Sequence, residues 1–101
     1  MCVYEVALVE GAVQELAALK AFDRNRLLEA IEDQLQNEPA VETRNRKKLF
    51  GLIPPFEAVL PVWELRVGDF RLFYDVDEAE KSVTVRAIRH KPPHKTTEEI
   101  L

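Results

Sequence analysis

The apolar positions change their period along the chain, and each change marks an element. Val3-Tyr4-Glu5-Val6-Ala7-Leu8 is short and rich in β-branched and aromatic residues, which predicts a first strand. Val13, Leu16, Ala17 and Lys20 then fall at i, i+3, i+4 and i+7, which predicts a helix from about Gly11 to Lys20 whose stripe ends in a lysine stem. Asp23 is placed to cap a second helix, where Leu27, Leu28, Ile31 and Leu35 repeat at helical spacing until Pro39 stops it. Joined by Ala21-Phe22, the two stripes describe an antiparallel helical hairpin, with Glu29, Glu32 and Asp33 as a solvated outer side.

From Glu38 to Leu60 the periodicity is lost. The stretch contains Arg44-Asn45-Arg46-Lys47-Lys48 and Gly51-Leu52-Ile53-Pro54-Pro55, and it is long for a loop inside a compact domain, which marks it as functional or mobile. Three strands follow, at about Val62 to Val67, Phe70 to Asp77 and Ser82 to Arg89, with a tight Gly68-Asp69 hairpin between the first two. The tail begins extended at Pro92-Pro93 and ends in a helical turn capped by Thr96 or Thr97.

Side chains alternate across a strand, so the strands can be sorted into faces. Trp63, Leu65, Val67, Phe70, Leu72, Tyr74, Val76, Val83, Val85 and Ala87 form an apolar face that must lie against the hairpin. The expected fold is a single α+β domain over residues 1–101: an N-terminal strand, a two-helix hairpin, then a three-stranded antiparallel meander. Together the strands make one mainly antiparallel four-stranded sheet with helices on one face only. The other face receives Val62, Glu64, Arg66, Arg71, Phe73, Asp75, Thr84, Arg86, Ile88 and His90.

Composition narrows the function. The chain has 101 residues, 47% of them hydrophobic and 32% charged, which is ordinary for a globular domain, and no apolar run is long enough to span a membrane. Glu5 and Glu10 interrupt what a secretory signal would need, so a cytoplasmic location is expected. The lone Cys2 and the two histidines, His90 and His94, have no partners at ligand spacing, so neither a metal nor a cofactor is expected. A net charge of -4 speaks against a polyanion binder that is basic as a whole. Its distribution is uneven: residues 1–43 carry three basic and nine acidic side chains, and residues 44–101 eleven basic and nine acidic. Any anion-binding surface therefore belongs to the second half.

On the open face, Arg66 and Arg71 beside Phe73, with the loop residues Arg44, Arg46, Lys47 and Lys48, suit phosphate and base contacts. Ordinary cross-strand ion pairing is the competing reading, and it is the stronger one for Arg86. A mixed apolar and cationic patch of this kind also fits an acidic, amphipathic protein segment that folds as it binds.

The segment Trp63-Glu64-Leu65-Arg66-Val67-Gly68-Asp69-Phe70-Arg71-Leu72-Phe73-Tyr74-Asp75-Val76-Asp77 resembles the central hairpin of RelE/ParE-superfamily toxins of type II toxin–antitoxin systems, and the order of the remaining elements agrees with it. The resemblance implies a toxin whose open sheet face is covered by a cognate antitoxin. In the RelE branch, which Arg66, Arg71 and the Arg44 to Lys48 loop favour, it implies an endoribonuclease that cleaves messenger RNA on the ribosome and so inhibits translation. Basic residues there stabilise the scissile phosphate while the RNA's own 2′-hydroxyl attacks. Arg71 matches that branch's hairpin arginine, and Lys91 matches the basic position after the last strand.

The pattern also departs from that branch, which has lysines where this chain has Val62 and Glu64 and a C-terminal tyrosine where it has Thr96, Thr97 and Ile100. Glu64 as a general base with His90 or His94 as a proton donor would fill the gap, and Glu64 as an ordinary partner of an arginine is the equal alternative. The alternative is a ParE-like inhibitor of DNA gyrase or a non-catalytic binding protein, so whether the chain is an enzyme stays open. The expected assembly is a homodimer or a heteromeric toxin–antitoxin complex.

Overall fold

The computed structural model describes residues 3–101. In chain order it contains β1 (Glu5–Leu8), α1 (Glu10–Ala17), α2 (Ala21–Ala30), β2 (Arg46–Leu49), β3 (Val62–Val67), β4 (Phe70–Asp77), β5 (Ser82–His90) and α3 (Thr97–Ile100). The last turns of α2 continue as a π-helical segment over Ile31–Leu35. The strands form one five-stranded sheet in the order β1-β5-β4-β3-β2, antiparallel throughout except that β1 runs parallel to β5. The additional strand is β2, cut from the basic segment that had no readable period. Its alternation is masked because three of its four residues, Arg46, Lys47 and Lys48, are cations on both faces.

The helical hairpin packs on one face as expected, but its phase differs in α1. The buried positions are Ala12 and Leu16, flanked by Val9 and Leu19, whereas Val13 is 46% exposed and Ala17 and Lys20 face solvent. The cause lies in the preceding strand. Val9 N–H donates to the Val85 carbonyl at 3.1 Å, which fastens the entry of α1 to the sheet and turns Ala12 and Leu16 inward. In α2, Leu27, Ile31 and Leu35 are buried at i, i+4 and i+8, and Leu28 is 41% exposed. Lys20, with no side-chain cap, begins that helix in place of Asp23, which sits in the first turn where a carboxylate favours the positive end of the helix.

The strand register agrees with the sequence reading through β3 and β4. Trp63, Leu65, Leu72 and Tyr74 are all buried in the helix-side core, with Tyr74 stacked at 6.3 Å on Trp63. In β5 the alternation breaks. Phe73 pairs with Ala87 and Tyr74 with Val85, so Arg86 is an extra, bulged residue. A single inserted residue exchanges the two faces beyond it. Ile88, expected on the open face, is buried with the helices, and Ala87, expected in the helix-side core, lies on the opposite side.

That opposite side is not open. Val62, Phe73 and Ala87 form a second buried cluster under Leu49, Phe56, Ala58, Ile100 and Leu101. The loop after β2 crosses this face, fastened where Val59 N–H donates to Asp75 Oδ2 at 2.9 Å. The terminal α3 covers more of it, with Thr96 and Glu99 closing a reciprocal capping box. Helices on one face only is therefore corrected: α3 and the loop give the sheet a partial second layer.

Candidate functional site

The bulge determines which side chains share the uncovered part of this second face. Beyond it, Arg89 is the cross-strand partner of Arg71, and Arg71 is that of Arg66. Three arginines thus lie side by side across β3, β4 and β5 at the end of the sheet that holds the β3–β4 turn. Like charges directly opposite one another destabilise a sheet. Such a row concentrates positive charge at this end of the face.

Each guanidinium is held differently. Arg71 is buried, and its Nη1 donates to the carbonyls of Gly68 at 2.9 Å and Phe70 at 2.8 Å. Burial, and then the charge of Arg66, lower its pKa, partly offset by Glu64 and Asp69. Its charge is neutralised by no carboxylate ion pair among the described residues. Arg66 is exposed. Arg89 is tied to Glu15 of α1, whose other oxygen accepts from the Ile88 N–H at 2.9 Å, and its guanidinium lies 6.0 Å from the Phe56 ring centre. Glu15 thereby occupies the β5 edge beyond the end of β1. Lys91 adjoins the row, its N–H donating to the Asp69 carbonyl at 2.6 Å.

Glu64 lies on the same face one pleat away, because residues i and i+2 of a strand point to the same side. It is buried, accepts a 2.8 Å hydrogen bond from Thr97 Oγ1, and pairs at 3.6 Å with Lys47. A carboxylate next to an arginine row has the chemistry of a general base, and here α3 holds it. His90 is not part of this group: the bulge rotates it to the helix side, where its ring meets Phe70 edge-on at 5.5 Å.

Other expected contact residues separate as well. Phe73 is fully buried in the second cluster, so it presents no surface to a partner. Arg46 is 5% exposed on the helix side of β2, where Nη1 donates to the Gln34 carbonyl at 2.9 Å and satisfies the end of α2. Its Nε is a buried donor without a partner among the described residues. Lys48 packs over Trp63 at 5.4 Å and Phe50 at 5.7 Å. Arg86 binds Asp75 at 2.7 Å, the pairing expected of it. Arg44 is exposed before β2.

Arg89 is the residue that sequence reasoning missed. Its signal was present in the spacing of the large apolar residues, which step by two from Val83 to Val85 and then by three to Ile88. A strand cannot bury all three on one face without one extra residue.

A five-stranded sheet with a helical hairpin on one face and an arginine row at one end of the other describes a small α+β domain that gathers positive charge at that end. The sequence profile of the ParE toxin of type II toxin–antitoxin systems matches residues 6–91, and the chain belongs to that family. Among solved structures, an archaeal RelE–RelB complex from Pyrococcus horikoshii is similar at 26% identity and a TM-score of 0.69, covering 93% of this chain and 99% of that one. A RelBE toxin–antitoxin complex from Mycobacterium tuberculosis is similar in fold at 23% identity and a TM-score of 0.69, over 88% of this chain and 99% of that one. The intact Escherichia coli RelBE complex shares the fold more distantly, at 22% identity and a TM-score of 0.51, over 90% of this chain and 99% of that one. No curated protein sequence matches significantly.

Proposed function

We propose that this chain is a toxin that acts on RNA at the translation machinery, cleaving messenger RNA on the ribosome, and that a cognate antitoxin neutralises it by covering the arginine row. The observation that carries this reading is the lateral alignment of Arg66, Arg71 and Arg89 with Lys91 beside them. In-line attack of a 2′-hydroxyl on its own phosphate places extra negative charge on the phosphate oxygens, and fixed guanidinium groups stabilise that charge. Arg71 is the best held of the three and is assigned to the scissile phosphate. Glu64 is assigned the proton from the 2′-hydroxyl, which requires Thr97 to release it; the P–O5′ bond breaks as the 2′-oxygen bonds to phosphorus, leaving a 2′,3′-cyclic phosphate, and the departing 5′-oxygen takes a proton from solvent water. His90, on the far side of the sheet, has no part in the step. The archaeal relative, solved with RelB, supports an antitoxin as the partner.

The test is a ribosome-dependent cleavage assay with purified protein. Arg71→Ala should lower the rate by about 100-fold to 1000-fold, the usual cost of losing a transition-state charge contact, without lowering the melting temperature to the assay range. Full activity in a folded Arg71→Ala protein would remove the mechanism. The second reading, inhibition of DNA gyrase without an enzymatic step, is favoured by the ParE description of the family and by the closed hydrogen bond on Glu64. A gyrase supercoiling assay run beside the first decides between them.

A further inference from the structure

The arginine row does not end at the β3–β4 turn. Gly68, at φ +58°, lets the guanidinium of Arg26 on α2 lie directly against the turn backbone. A Cβ at residue 68 would collide with Arg26 Nη2 and would stand 3.1 Å from Cζ and 3.2 Å from Nη1. On its other flank, the Arg26 guanidinium lies 5.8 Å from the ring centre of Phe22, one helical turn earlier and 73% exposed. Arg26 forms no ion pair among the described residues, in a chain where acidic side chains outnumber basic ones by eighteen to fourteen. Gly68 also accepts from Arg71 Nη1 at 2.9 Å. Two guanidinium groups on different elements therefore touch the same glycine.

An exposed aromatic ring beside an unpaired guanidinium offers two things at once: a π-face for a base and a planar donor for a phosphate. Single-stranded RNA is bound by this combination; an acidic amphipathic segment can use the same pair, and the peptide arm of the test below separates the two. We infer that Phe22 and Arg26 form a second RNA-contact point, which receives the strand where it leaves Arg71 and passes around the β3–β4 turn onto the start of α2. This rests on the RNA reading above and adds the path of the strand.

The test is fluorescence anisotropy of a labelled single-stranded oligoribonucleotide at several salt concentrations, with the full chain. Arg26→Ala and Phe22→Leu should each weaken binding roughly 5-fold to 100-fold, the range that stacking contacts span on substitution. Arg26→Ala should also reduce the slope of log affinity against log salt by about 0.7, the value for one phosphate contact on a single strand. Arg26→Lys, which keeps the charge but not the planar group, should keep the salt slope and lose affinity. Lys81→Ala, at the opposite end of the sheet between β4 and β5, should change neither quantity. Both Phe22 and Arg26 are exposed, so melting temperatures should stay near that of the parent chain. If Arg71→Ala weakens binding while Arg26→Ala and Phe22→Leu do not, the inference is overturned and the RNA reading stands. No binding of the oligoribonucleotide by the parent chain at low salt overturns the inference and leaves the cleavage assay to decide the function. An effect of Arg26→Ala on binding of an acidic peptide alone, with RNA binding unchanged, also overturns it.

Discussion

Tyr74 is fully buried, and its hydroxyl donates to the Pro39 carbonyl at 2.7 Å, tying β4 to the chain that leaves α2. Burial pushes its pKa far above the usual tyrosine value, and the nearby positive charge of Arg46 offsets this only in part. Below about pH 10 the folded and unfolded chains both keep this proton. Above it the unfolded chain ionises first, so folding stability falls as pH rises, by up to about 1.4 kcal/mol per pH unit. Tyr74→Phe should cost about 1 kcal/mol near neutral pH for the lost hydrogen bond and should flatten the alkaline limb, measured as urea midpoints against pH. An unchanged alkaline slope would show that Tyr74 is not its source. Phe73 is fully buried on the other side of the same strand, under Phe56 at 6.1 Å between ring centres. Phe73→Ala should destabilise by about 3–5 kcal/mol in chemical denaturation, and Phe73→Glu should leave no folded protein, because it strands a charge in an apolar cluster. A stable, cooperatively unfolding Phe73→Glu chain would show that the second cluster is dispensable.

At the scale of elements, what was legible followed the strength of each local signal. Trp63, Leu65, Leu72 and Tyr74 alternate without interruption, and their face was readable at once. β2 was not, since Arg46 is a buried cation that a pattern of apolar residues cannot reveal. Nor was the covering of the second face, because Phe56, Ala58, Ile100 and Leu101 reach it from segments without a period. The arginine row was consequently half readable: Arg66, Arg71 and Lys91 could be placed on that face from the sequence, while Arg89 was hidden by the bulge and His90 was placed on the wrong side. The bulge itself can be tested. Arg86→Ala keeps the residue count and loses only the bond to Asp75, so it should cost about 1.5–3 kcal/mol. Deleting Arg86 removes the extra residue and restores simple alternation with Ile88 still in the core and Arg89 still on the second face, so the cooperative unfolding transition should survive at about the stability of Arg86→Ala. Urea denaturation followed by circular dichroism on the two variants checks this. Loss of the cooperative transition in the deletion variant alone would show that the faces beyond Val85 are not set by the one extra residue.

On the scale of the whole molecule, charge and shape point the same way. The first 43 residues hold nine acidic and three basic side chains and supply most of the helical layer, while the arginine row sits on the other face of the sheet. Such an asymmetric field orients a charged partner during approach, and it does so less as salt rises. The proposed antitoxin should therefore carry carboxylates where it meets Arg66 and Arg71. Phe73 cannot serve as its apolar anchor, because α3 and the loop after β2 already cover that residue. Arg66→Glu combined with Arg71→Glu should weaken the toxin–antitoxin complex by reversing the sign of its contact surface. Arg66 is exposed, whereas Arg71 is buried on two backbone carbonyls, so Arg66→Glu alone, which should stay folded and weaken the complex in the same direction, is measured beside the double variant. The parent complex should associate more slowly when ionic strength rises from about 0.1 M to about 1 M, as the screening length falls from about 10 Å to about 3 Å. The double variant should have lost most of that dependence. Surface-based kinetics with the protein encoded beside this one measure both quantities, and a charge-reversed variant that binds as fast and as tightly as the parent would place the antitoxin elsewhere on the molecule.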